Sequence, residues 1–292
     1  MQHALTSAGY FSNLRPVNWQ IASLNIQHLP YQGINQTMEE QPPLTSHEAP
    51  PQSSSLITRL TNIFVAPAEV FDEVKATPPK HSNWIVPLIL SISIGIIYTL
   101  VVFSQPGVIQ KIKDAEDKKI QQRVEQGKMK KQDADNAQAM IEKIMTPTVF
   151  KLIGIGGAVF GSSALLFLIA AIIWLLGRFL FKGEVTYLQA LQVNGLSSMI
   201  SVLGAIVAML LVVIYGNVSM TPGPALLIRN FDPANKMHLL LSGLNVFSLW
   251  YVAVLSLGLA RLSGAPFWKA AAWIFGIWGF FTLGPALAFG GR

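Results

Sequence analysis

Five long apolar runs occupy the last two-thirds of the chain, at Trp84–Phe103, Leu152–Leu176, Gly195–Tyr215, Leu239–Ala260 and Ala270–Phe289, and none of them contains Asp, Glu, Lys, Arg or His. Each reaches the roughly 20 residues that a helix needs to cross a ~30 Å hydrocarbon layer. A core helix of a soluble protein rarely runs so far without a charged face. The pattern predicts an all-α integral membrane protein with five transmembrane helices and no acid, base or ion ligand at bilayer depth.

Outside these runs the pattern changes character. Leu56, Ile57, Leu60, Ile63 and Phe64 recur at helical spacing, and Val70, Phe71 and Val74 continue the stripe beyond Pro67. This predicts an amphipathic pre-membrane segment of two short helices lying along the membrane surface, with Pro67 in the first turn of the second. Trp84 opens the first span at the depth that aromatic rings favour. The span stops at Ser104-Gln105-Pro106-Gly107.

Val108 to Met145 is the long charged stretch, with nine Lys or Arg and seven Asp or Glu. Gly127 divides it, so it is expected to fold as a charged helical hairpin between the first two spans. Thr146-Pro147 restarts a helix, as N-cap and first-turn residue. Thr186 to Val193 is expected to form a helix along the interface ahead of the third span. Tyr215-Gly216-Asn217 ends that span, and an irregular loop through Thr221-Pro222-Gly223-Pro224 and Arg229-Asn230-Phe231-Asp232-Pro233 precedes the fourth.

Residues 1–55 are polar and rich in Gln, Ser and Pro, which predicts a disordered tail and excludes a secretory leader with an early basic region and apolar core. The change of character at Met38 marks it as a candidate initiator, with residues 1–37 as an upstream extension.

Composition narrows the chemistry. The chain has 292 residues, 12% of them charged, against about 25% in ordinary soluble domains. The net charge of +6 is spread among acids, with no basic stripe of the kind nucleic acid needs. There is no cysteine, so disulfides, thiolate metal sites and cysteine nucleophiles are excluded. His3, His28, His47, His81 and His238 lack metal-ligand spacing. Ser162-Ser163 and Ser197-Ser198 have no apolar-run neighbour able to activate a hydroxyl. No catalytic, cofactor-binding or metal-binding residue is therefore assigned, and no enzyme activity is expected. Asn245 is the most polar residue at depth, and it suits an interhelical hydrogen bond. A channel or transporter would instead use it, with Ser242 and Ser248, to line a polar path. Small residues in pairs (Ser91 and Gly95, Gly157 and Gly161, Ser197 and Ser201, Gly204 and Ala208, Gly276 and Gly279) predict close helix packing within one chain. Trp250, Trp273 and Trp278 suit packing or interface positions.

The chain resembles the bacterial members of the Yip1 domain family over about Leu56 to Phe289. The resemblance is carried by Ile63-Phe64-Val65-Ala66-Pro67-Ala68-Glu69-Val70-Phe71-Asp72-Glu73-Val74, by Gly183-Glu184-Val185-Thr186-Tyr187-Leu188-Gln189-Ala190-Leu191, and by Leu249-Trp250-Tyr251 through Gly258-Leu259-Ala260 to Lys269-Ala270. It implies five helices, a cytosolic N-terminus, residence in the bacterial cytoplasmic membrane and a protein partner in addition to the lipid bilayer. In eukaryotes the relatives bind prenylated Rab GTPases. Their Asp-Leu-Tyr-Gly-Pro signature is replaced here by Asn83-Trp84-Ile85-Val86-Pro87, so GTPase binding is not carried over.

Orientation is contested within the sequence. With the N-terminus inside, the inner flanks hold Arg59, Lys75, Lys80, Arg178, Lys182, Arg261 and Lys269. The outer side holds the nine cations of the hairpin plus Lys151, Arg229, Lys236 and Arg292. The positive-inside rule counts Lys and Arg on short loops, and by that count it opposes the orientation that the family resemblance implies.

Overall fold

The computed structural model describes residues 54–216, 218, 221–228 and 235–289; residues 1–53 of the expected disordered tail, with the Met38 question, and residues 229–234 of the loop before the fourth span lie outside them, while Ser54 and Ser55 of that tail are part of the fold. The side chains of 285–289 are also outside the description.

The described residues form helices and no strands. In chain order these are α1 (Leu56–Val65), α2 (Pro67–Ala76), α3 (Ser82–Val102), α4 (Pro106–Glu125), α5 (Lys131–Ile144), α6 (Pro147–Leu180), α7 (Tyr187–Tyr215), α8 (Lys236–Gly243), α9 (Val246–Ser263) and α10 (Phe267–Phe289). Four of them, α3, α6, α7 and α9, are long and apolar enough to cross a membrane. Their outward faces carry Phe160, Leu210 and Ile214 at 77%, 53% and 72% exposure. Apolar surface on that scale belongs in lipid, since soluble monomers rarely expose large contiguous patches.

Local chemistry sets the helix ends. Ser55 caps α1, with its Oγ accepting from the Thr58 N–H, and Pro67 starts α2. Thr146 caps α6 ahead of Pro147. Thr186 and Gln189 form a reciprocal capping box on α7. Gly264 closes α9 in the left-handed conformation, with φ +73°, which lets its N–H reach the Ala260 carbonyl. Gly127, with φ +67°, turns the chain between α4 and α5.

Three sequence expectations change. Thr186 to Val193 is not a separate interfacial helix: it forms the first turns of α7, which runs unbroken for 29 residues, and Ala190 to Asn194 are buried. The second span starts earlier than Leu152, at Pro147, and runs through π-helical turns at Gly157–Gly161 and Leu176–Leu180. The fourth run, Leu239–Ala260, is broken at Leu244–Asn245 into α8 and α9. The Val246 N–H, freed by the break, donates to the Pro222 carbonyl at 2.9 Å, and the Thr221 hydroxyl donates to the Ser242 carbonyl. The 221–228 loop thus supplies partners that water cannot supply near the bilayer. With 18 residues, α9 spans about 27 Å, so the break falls near one face of the hydrocarbon layer.

Helix α7 is the axis of the bundle, packing on α3, α6 and α9. The helices approach closely where side chains are small. A Cβ on Gly195 would lie 2.6 Å from the Trp84 Cα, one on Gly258 2.3 Å from Val193 Cγ1, and one on Gly204 2.7 Å from Phe247 Cβ. Gly154 faces Thr99, and Gly95 faces Ala158, in the same way. Gly157 and Gly161, singled out by their spacing, face open space, as do Gly276 and Gly279. Spacing alone does not tell the lipid side of a helix from the protein side.

Replacing Gly195 with Ala forces a methyl against α3 backbone and should cost about 1–3 kcal/mol. Gly157→Ala should be nearly neutral. Thermal unfolding of the two variants in detergent, compared with the parent, measures the difference.

Candidate functional site

The pre-membrane pair does more than lie on a surface. One face of α1 and α2 is sealed against α7 and α9: Ile63 and Phe71 are fully buried, as nearly are Val70 and Val74. Phe64 packs edge-on to Trp250 at 5.9 Å. Ile57 and Val65 remain 76% and 78% exposed on the outer face of α1. The buried face is thus taken up by the bundle, and only the outer face of α1 is left for other contacts.

Arg59 lies on the buried face of α1, at 2% exposure. Three atoms of its side chain find partners. Nη2 donates to Glu73 Oε1 at 2.8 Å and to the Ser54 carbonyl at 2.9 Å, Nε donates to Glu73 Oε1 at 3.2 Å, and Nη1 donates to Asn83 Oδ1 at 2.9 Å. Glu73 also accepts from the Ser54 N–H and hydroxyl. Asn83, itself 1% exposed, donates from Nδ2 to Gln192 Oε1 at 2.7 Å, and the Lys80 N–H donates to the same oxygen at 3.0 Å. A single connected cluster thus ties α1, α2, α3 and α7 together.

The cluster explains the ionisation of Glu73. Burial pushes its carboxyl up, but hydrogen bonds from Arg59 and Ser54 and the guanidinium charge outweigh that push and hold it below the ordinary 4.5. Buried pairs of this kind add little net stability, yet removing one member strands the other and is costly.

Two more ties fix α2 to the end of α9. The Lys75 ammonium donates to the Arg261 carbonyl at 2.9 Å, in the last turn, where a cation also suits the helix dipole. Arg261 pairs with Asp72 at 3.2 Å, an exposed contact of small value.

Deeper in the bundle, the buried Asn194 of α7 donates from Nδ2 to the Leu166 carbonyl of α6 at 2.9 Å. Its Oδ1 accepts from the Tyr251 hydroxyl of α9 at 2.7 Å. This is the interhelical polar contact that the sequence expectation gave to Asn245. Asn245 instead caps α9, accepting from the Phe247 N–H at 2.9 Å. Ser242 bonds to the Leu239 carbonyl of its own helix. Ser163, Ser197 and Ser198 each donate to a carbonyl three or four residues back. No group of three His, Cys, Asp or Glu able to hold a metal is found among the described residues. The cluster offers hydrogen bonds already spent on one another, an arrangement suited to holding helices in place.

Helices crowded around a central α7, with apolar outer faces and a polar clasp at one end, define a multi-pass integral membrane protein. A family model for the Yip1 domain matches residues 61–288, and the chain belongs to that family. No curated protein and no solved structure matches the chain.

Arg59→Leu should destabilise the fold by about 3–5 kcal/mol, and Arg59→Leu combined with Glu73→Leu should recover part of that loss. Glu73 has a lowered folded-state pKa, so its contribution is present above the ordinary 4.5 and lost as pH falls through the lower folded value. Protection factors at α1 amides, taken relative to the intrinsic exchange rate at each pH, should therefore stay high at neutral pH and fall only below about pH 4.5, with those of Glu73→Gln already low at neutral pH.

Proposed function

We propose that the chain is a non-enzymatic membrane scaffold of the Yip1 type, crossing the bacterial cytoplasmic membrane five times with its N-terminus in the cytoplasm. The fifth crossing is α10, whose 23 residues reach about 34 Å. The observation that carries the proposal is the attachment of two membrane-flanking elements to opposite ends of one rigid helix. At the start of α3, Asn83 binds Arg59 of α1. At its end, Val102 packs with Val108 of α4, and the Lys111 ammonium reaches the Tyr215 carbonyl of α7.

Each element keeps outward-facing groups. The first offers Ile57 and Val65 beside the charges of α2. The second offers Met140 and Ile144, 62% and 48% exposed, among the alternating charges of α4 and α5. Mixed charge around a few apolar anchors is the composition of a protein-docking surface. Chemistry at depth would need a free polar group, whereas Asn83, Gln192 and Asn194 are all engaged with neighbouring helices. The rival, a channel or transporter component, draws on the break at Leu244–Asn245, since broken helices often flank transport sites. Here the Asn245 side chain is committed to its own helix.

Photocrosslinkers at Val65 and Met140 in native membranes should trap discrete proteins; adducts with lipid alone would rule the scaffold out. Reporter fusions at the two ends should map to opposite faces, with the first in the cytoplasm.

A further inference from the structure

Helix α10 packs on α9 through Ala270 and Ile274, both buried. Its other side is not smooth. Ala272, Trp273, Gly276, Ile277, Phe280 and Phe281 line an apolar groove of ≈ 430 Å³. The floor is Gly276, where a Cβ would meet nothing within 4 Å. The walls are aromatic, with Trp273 and Phe280 at 49% and 72% exposure.

The groove has a charged head. Residues 269, 272, 273, 276 and 280 are exposed and follow one helical stripe, so Lys269 stands at the top of the same face. With α10 as the fifth crossing proposed above, Lys269, its third residue, stands where the chain leaves the bilayer. Its ammonium lies 5.4 Å from the Trp268 ring centroid. Residues 233–292 contain no Asp or Glu, so no acid on α9 or α10 competes for it. From Lys269 to Phe281 the helix rises about 18 Å, close to the depth of one leaflet of a ~30 Å hydrocarbon layer.

We propose that this groove is a binding site for one anionic glycerophospholipid, with its phosphate against Lys269 and one acyl chain laid along Gly276 between Trp273 and Phe280. A flexible chain fills the missing Cβ volume with dispersion contacts that a rigid partner would have to match in shape. A second copy is disfavoured by charge. Two chains inserted in the same orientation would meet on this face about a two-fold axis along the membrane normal. That places Lys269 beside Lys269 at one depth, with no acid on α9 or α10 to offset them. The proposal is independent of whether the flanking elements bind a protein.

Native mass spectrometry tests it on the full chain, reconstituted in equal parts phosphatidylglycerol and phosphatidylcholine and then released. The parent should retain one phosphatidylglycerol in about fivefold preference to phosphatidylcholine, the preference one lysine supplies at a membrane surface. Lys269→Gln should keep a lipid and lose the preference. Gly276→Leu, which fills an outward furrow and meets no neighbour, should lose the retained lipid, and Ala272→Trp should do the same from another position. Equal retention of the two lipids by the parent, or retention unchanged in all three variants, overturns the proposal. So does a two-chain species that Gly276→Leu abolishes, which would give the groove to a second copy.

Discussion

A guanidinium removed from water must have its N–H groups met, and at Arg59 meeting them requires four separate pieces of chain. Ser54 supplies a carbonyl, Glu73 a carboxylate and Asn83 an amide oxygen, while Gln192 holds the amide in place from the far side. None of these can shift without exposing a charge to an environment that penalises it. The position of α1 and α2, the angle at which α3 enters the bundle, and the register of α3 against α7 are consequently one decision. The close approach of Gly195 to Trp84 is its neighbour in space: the backbones come together one turn from where Asn83 reaches Gln192.

Four of the spans are legible because lipid demands long, uncharged helices, and that demand is written residue by residue. What was not legible depends on which neighbour each face meets. Arg59 was readable in principle: it falls between Leu56 and Ile63 at helical spacing, a lone cation in an apolar stripe, and Glu73 sits in the same way beside Val70 and Val74. Counting Arg59 only as a flanking positive charge hid the pair. Gln192 falls in the stretch expected to form a helix along the interface, and Asn194 directly follows it. Their burial follows from the unbroken run of α7, which no local pattern distinguishes from a helix that bends at the interface. Asn245 illustrates the opposite error. Its polarity is plain in the sequence, but Asn is as much a helix-capping residue as an interhelical donor, and Leu244–Asn245 is where the helix restarts.

Membership of the Yip1 family and the clasp at the start of α3 fit together without chemistry. The buried polar groups described here are spent on one another, and the remaining exposed ones sit on elements fixed to the bundle.

The fastening of α2 has a consequence in time. Lys75 reaches the carbonyl of Arg261, 186 residues further along the chain. At translation speeds of about 5–20 residues per second, the ribosome needs on the order of ten to forty seconds to deliver that anchor after α2 has emerged. Throughout that interval Phe71 and Val70 have no α9 to cover them, and the nascent pre-membrane helices must shelter in the headgroup layer or on a chaperone. Docking of α2 on α9 is thus among the last events of biogenesis, and a nascent chain cut short before α9 leaves the first helices only the α3 and α7 part of their dock.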